Sequence, residues 1–143
     1  MQLLCKKKDM RNKTYILFVC KDNALWSQMA EAIVKLYRDD EINACSAGIR
    51  PAAKLDPGAL ELSKRLGYDA MHLHTTKSVR DVPDFHYDFV ITLGTPEYIL
   101  DVAADKRLEW RLGDMDTADE VQLLRLRDKL LNRVLNLVIS VAV

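Results

Sequence analysis

The chain has 143 residues, and its 21 lysines and arginines are balanced by 21 aspartates and glutamates, so overall charge points to neither nucleic acid nor an anionic membrane as the main partner. With 49% hydrophobic residues it can bury one core unaided, and its three cysteines, Cys5, Cys20 and Cys45, are too widely spaced to spell a disulfide framework or a zinc site. The apolar run from Tyr15 is too short for a signal peptide, and Val134 to Val143, interrupted by Asn136 and Ser140, is too short to span a bilayer; a cytoplasmic protein is expected.

Residues 1–13 read as a basic N-terminal extension, with Lys6, Lys7, Lys8, Arg11 and Lys13 against Asp9, and residues 14–143 as a single domain. Thr14 to Val19 is β-branched, aromatic and almost unbroken in its apolarity, which predicts a central strand buried on both faces, ending on Cys20. From Ser27, a favoured residue type at a helix start, to Arg38, the apolar Met29, Ile33, Leu36 and Tyr37 recur at helical spacing. Glu31, Lys35 and Arg38 fall on the opposite, polar side. Ile42 to Ser46 reads as a second strand closed by Ala47 and Gly48. Asp56-Pro57 then opens a helix that runs to about Leu66 and stops at Gly67.

Tyr87 to Leu93 predicts a third buried strand ending at Gly94. Pro96 to Ala104 is read as a short helix, and alternating Leu108, Trp110 and Leu112 as a fourth strand. Val121, Leu124, Leu131, Val134, Leu135 and Val138 then mark a long amphipathic helix from Thr117, with Asp116 or Thr117 as its cap. This alternation implies an α/β fold, a four-stranded parallel sheet flanked by helices in three layers. In such sheets ligands sit beyond the carboxyl ends of the strands where the winding reverses, and Cys20 stands at one such end, facing a helix N-terminus that favours a thiolate. His72 and His74 form a His-x-His pair, but no third metal ligand lies nearby in sequence; His86 caps or packs beside the third strand.

The loop Cys20-Lys21-Asp22-Asn23-Ala24-Leu25-Trp26-Ser27, followed by Gln28-Met29-Ala30-Glu31-Ala32, resembles the phosphate-binding loop of the low-molecular-weight protein tyrosine phosphatases and of the arsenate reductases that share their fold. Ser46-Ala47-Gly48, His74-x-x-Lys77-x-Val79, Asp88-Phe89-Val90-Ile91-Thr92 and Trp110-x-x-x-Asp114 resemble further motifs of that family in the same order. The resemblance implies the phosphotyrosine protein phosphatase I-like fold with flavodoxin-like winding. It makes Cys20 the nucleophile that forms a phosphocysteine, Ser27 the residue that assists the thiolate, and Asn23 the one that holds the loop in shape. Asp114 becomes the general acid and base, with Asp116 a rival. The chemistry asks for no cofactor, and the partner it implies is a phosphorylated protein or a small oxyanion.

The chain departs from that pattern in several places, among them Met115, where the family usually follows its acidic aspartate with proline. Where the family carries an arginine just before the serine, this chain has Trp26, exchanging a charged fork of donors for a single neutral N–H. Losing one such donor costs about 3 kcal/mol in comparable oxyanion sites, and Asp22 adds a carboxylate that repels an anion. Lys21 is the loop's one cation, read as a solvated side chain at the rim. No cysteine follows Cys45, so a reductase relay within the chain is not expected. Three functions follow: a binding or regulatory module impaired in hydrolysis, an active or slow cysteine-dependent phosphatase or arsenate reductase, and a phosphocysteine carrier.

Overall fold

In a computed structural model the protein is described over residues 13–38, 40–94, 101–113 and 119–141. The predicted strands all form: β1 (Thr14–Cys20), β2 (Ile42–Gly48), β3 (Tyr87–Leu93) and β4 (Ala104–Trp110), paired in parallel in the order β2-β1-β3-β4. With β1 inside the sheet, its side chains alternate between two cores. Ile16, Phe18 and Cys20 join one apolar cluster; Tyr15, Leu17 and Val19 join the other. Burial on both faces is why the strand reads as a continuous apolar run.

The first cluster lies under three helices: α1 (Trp26–Arg38), α2 (Pro57–Arg65) and α3 (Glu120–Val141). Met29 and Ile33 of α1, Leu62 of α2 and Leu130 and Val134 of α3 fill it. The second is closed by Val82 and Tyr87, with Val79 and Phe85 at its margin. Asp88 sits inside an otherwise apolar strand because its carboxylate accepts the Tyr15 amide at 2.8 Å, anchoring the start of β1. Asp56 caps α2 by accepting from Gly58 N, with Pro57 at its first position, as expected from the sequence.

Several boundaries and faces differ from the sequence reading. Helix α1 begins at Trp26, which puts Ser27 inside its first turn rather than at its cap. Leu36 and Tyr37, placed on the apolar face by spacing, are 37% and 50% exposed at the helix end, whereas Glu31, placed on the polar face, is buried. Of the helix expected over Pro96–Ala104, residues 96–100 lie outside the described residues; 101–103 are irregular and Ala104 opens β4. Asp119 caps α3, accepting from Val121 N at 2.8 Å, while the expected caps Asp116 and Thr117 lie outside the described residues. Cys20 is a free thiol, whereas Cys45, read as an inert strand cysteine, is disulfide-bonded. No helix among the described residues is long and apolar enough to cross a membrane.

Candidate active site

Strands β1 and β2 end in register, Cys20 opposite Gly48, and the chain leaves β1 through residues 21–25 into α1. The main-chain carbonyls of this loop are turned outward and bonded. Cys20 O accepts from Ile49 N, Lys21 O from Arg50 N, Asp22 O from Ala52 N and Ala24 O from Asp56 N, at 2.8–3.2 Å. Asn23 O accepts from the Gln28 side chain at 3.1 Å. Amides are thereby left to face the sulfur: Asn23 N donates to Cys20 Sγ at 3.2 Å, and Ser27 N also donates to it. Ser27 Oγ lies 2.9 Å from Sγ.

Such a loop needs one left-handed residue, and Asn23 supplies it at φ 53°; it is the non-glycine residue with positive φ among those described. Close approach from β2 sets the loop's other limit. A Cβ on Gly48 would lie 2.9 Å from both Asn23 N and Asp22 C, so glycine here leaves room for the loop backbone.

The loop residues named from sequence, Cys20 through Ser27, are therefore brought together, and Asn23 is buried beneath them. Lys21 and Asp22 are exposed. Asp22 Oδ1 accepts from Ala24 N at 3.2 Å and lies 3.8 Å from Cys20 Sγ. Trp26 is only 6% exposed and belongs to the same apolar cluster as Cys20 and Met29, so its indole is part of the core. Asp114 and its rival Asp116 lie outside the described residues. Trp110, four residues before Asp114, packs against Phe18 with ring centroids 6.1 Å apart.

Electrostatically the thiol departs from the sequence expectation. Burial pushes the Cys20 thiol above its ordinary value, and the nearby Asp22 carboxylate adds to that. The donors from Ser27 and Asn23 pull the other way without overcoming burial. The helix N-terminus alone does not make a thiolate here.

A buried polar cluster beneath the loop escaped the sequence reading. Glu31, 2% exposed, accepts from Lys35 Nζ at 2.7 Å and from Ser46 Oγ at 2.8 Å; His74 Nδ1 is 3.1 Å away and Lys77 Nζ 3.9 Å. Burial opposes ionisation of Glu31, but Lys35, Lys77 and His74 outweigh it and hold its carboxyl below the ordinary range. Burial lowers His74 to about 4, so at neutral pH it is an uncharged hydrogen-bonding group. Both of its ring nitrogens are engaged, Nε2 by Tyr68 at 2.6 Å and Nδ1 by Gln28 at 2.9 Å, while His72 is exposed; the His-x-His pair is not a chelating one. Among the described residues no three His, Cys, Asp or Glu side chains are grouped to hold a metal. His86, expected to cap or pack beside β3, bonds Asp105 at the surface.

A family model described as low molecular weight phosphotyrosine protein phosphatase matches residues 15–108. Arsenate reductase 1 of Bacillus cereus is 32% identical over 134 residues, covering 87% of this chain and 94% of its own length. A solved arsenate reductase in a phosphate-binding state superposes with a TM-score of 0.77 at 27% identity, over 89% of this chain and 98% of that one. The arsenate reductase of Archaeoglobus fulgidus gives a TM-score of 0.68, also at 27% identity, over 86% and 98% of the two chains.

Proposed function

The chain belongs to the low molecular weight phosphotyrosine protein phosphatase family, and from that premise we propose that it is a cysteine-loop protein impaired in phosphoester hydrolysis that acts as a binding or regulatory module. The observation that carries this reading is Trp26. It stands where the resemblance calls for an arginine, and its indole is buried in the core instead of facing an oxyanion. A dianion arriving at Cys20 would meet the Asp22 carboxylate 3.8 Å from the sulfur. No fixed positive charge from the loop would meet it, since Lys21 is exposed. The raised thiol leaves less nucleophile at neutral pH.

The reading is tested with a phenyl phosphate ester. The protein is expected to hydrolyse it at background, and Trp26→Arg combined with Asp22→Asn to gain turnover. Robust turnover by the unaltered protein, abolished by Cys20→Ser, would overturn it.

A second reading is favoured by the arsenate reductase relatives together with the donors that converge on Cys20 Sγ. Attack of Cys20 on arsenate would form an S–As bond while one As–O bond breaks and its oxygen leaves as water, giving a thiol–arsenate ester. With Cys45 disulfide-bonded and no cysteine after it, an external thiol must then attack the Cys20 sulfur, forming a mixed disulfide and releasing trivalent arsenic. Arsenate-dependent consumption of an added dithiol, lost in Cys20→Ser, separates this reading from the first.

A further inference from the structure

Gln28 takes no part in the chemistry above, yet it is fully buried at the root of α1 and its amide has a partner at every turn. Its Nε2 lies 3.1 Å from Asn23 O, 2.9 Å from Asn23 Oδ1 and 3.0 Å from Thr75 O, three acceptors among which its two protons are shared; its Oε1 faces His74 Nδ1 at 2.9 Å. Three acceptors on one side and an imidazole nitrogen on the other allow one orientation of the amide.

The direction of each hydrogen bond follows from a donor that cannot reverse. The main-chain N–H of Lys77 points at Asn23 Oδ1 at 2.8 Å, so that atom is the carbonyl oxygen and the adjacent Nδ2 is the donor. Nδ2 lies 2.8 Å from Ser27 Oγ, which must accept. With a lone pair of Ser27 taken, and Sγ the remaining partner found for its hydroxyl among the described residues, the hydroxyl proton is directed at Cys20 Sγ, 2.9 Å away. His74 Nδ1, facing Gln28 Oε1 and Glu31 Oε2, carries its proton, and Tyr68 donates to Nε2.

We propose that Gln28 is a positioning residue for Cys20. By clamping both oxygens of Asn23 to His74 and Thr75 it holds the left-handed residue whose amide aims the Ser27 hydroxyl at the sulfur. Two oxygens of one residue, one main-chain and one side-chain, meet a single NH2 group that is itself tied to a separate segment of the chain. Without that group the buried Asn23 O loses its side-chain donor, and Asn23 keeps only the Lys77 amide on its side-chain oxygen.

The test reads thiol reactivity and uses no phosphoester, so its outcome stands apart from the hydrolysis assay. Cys20 alkylation by iodoacetamide is followed against pH in the whole protein, in Gln28→Met, in Asn23→Gly and in the double variant, each checked for native circular dichroism. Gln28→Met is expected to move the reactivity inflection up by about one pH unit and to slow the reaction at neutral pH about tenfold. Adding it to Asn23→Gly, which keeps the positive φ and the main-chain oxygen but has no amide to aim, is expected to move the inflection much less than Gln28→Met does alone. A folded Gln28→Met with an unmoved inflection, or effects that add in the double variant, would overturn the proposal. A measurement on the unaltered protein covers the case in which Gln28→Met does not fold. The Gln28 side-chain NH2 resonances are expected to shift when Cys20 is alkylated, and unchanged resonances would sink the proposal.

Discussion

Glu31 Oε2 lies 3.1 Å from His74 Nδ1, with both side chains at most 2% exposed, so a carboxylate and an imidazole share one buried site under the Cys20–Ser27 loop. At neutral pH the contact is not an ion pair, because burial holds His74 at about 4; the hydrogen-bond partner of Nδ1 is Gln28 Oε1, 2.9 Å away.

That depression sets an acid sensitivity with a defined sign. The unfolded chain takes up the His74 proton near 6.5 while the folded protein resists it until about 4, so the contribution is present above 6.5 and is lost as pH falls through this window. From pH 7 to pH 5 the loss is about 2 kcal/mol. The lowered Glu31 carboxyl extends the decline below its ordinary value of 4.5. Urea unfolding at a series of pH values checks this, and His74→Gln is expected to flatten the upper part of the curve. A midpoint constant from pH 7 to 5 would contradict it.

Asp22 is expected to make Cys20 discriminate by charge. Its carboxylate lies 3.8 Å from the sulfur at an exposed position, where two negative charges repel by about 1 kcal/mol. Asp22→Asn keeps an oxygen for Ala24 N but removes the charge. Its ratio of iodoacetate to iodoacetamide alkylation rates is expected to rise roughly fivefold at low salt, with the gain shrinking as salt is added.

Gly48→Ala tests the close approach of β2 to the loop. The new methyl would stand 2.9 Å from main-chain atoms of Asp22 and Asn23, which cannot swing away as a side chain can. A loss of about 1–3 kcal/mol in urea unfolding and an altered Cys20 alkylation rate are expected together. Gly67→Ala is the contrast: at φ 94° with open space around it, it carries backbone strain of about 1 kcal/mol and leaves Cys20 untouched.

On α3, Leu130 is fully buried and Val121 is more than half exposed. Leu130→Ala is expected to cost about 2–5 kcal/mol and Val121→Ala less than about 0.5 kcal/mol, by the same unfolding measurement.

The elements that the sequence made legible are those whose signal is local. β1 announces itself by nearly unbroken apolarity and β3 by a mostly apolar run broken at Asp88 and Thr92, α2 by Asp56 and Pro57, and the loop by Cys20, Asn23 and Ser27. Glu31 and Gln28 were not legible, because periodicity along α1 ranks positions by the helix's own pattern and cannot see residues 74–77 arriving from elsewhere to cover its polar side. His74 and Lys77 drew notice as parts of a motif, but their role under the loop depends on Glu31, more than forty positions away. The thiol's raised protonation was hidden for the same reason, since burial belongs to the assembled fold and not to the strand–loop–helix pattern.

The outward-turned carbonyls of residues 20–24 bear on how the site comes into being. Their partners are the amides of residues 49–56 and the side chain of Gln28, itself tied to Thr75. A peptide running from β1 through α1 would contain every residue of the motif and none of its shape. In the native protein, a local opening of residues 49–56 would remove the amides that hold the carbonyls of Cys20, Lys21, Asp22 and Ala24, making that connection the point at which the loop around Cys20 could be lost without unfolding the sheet.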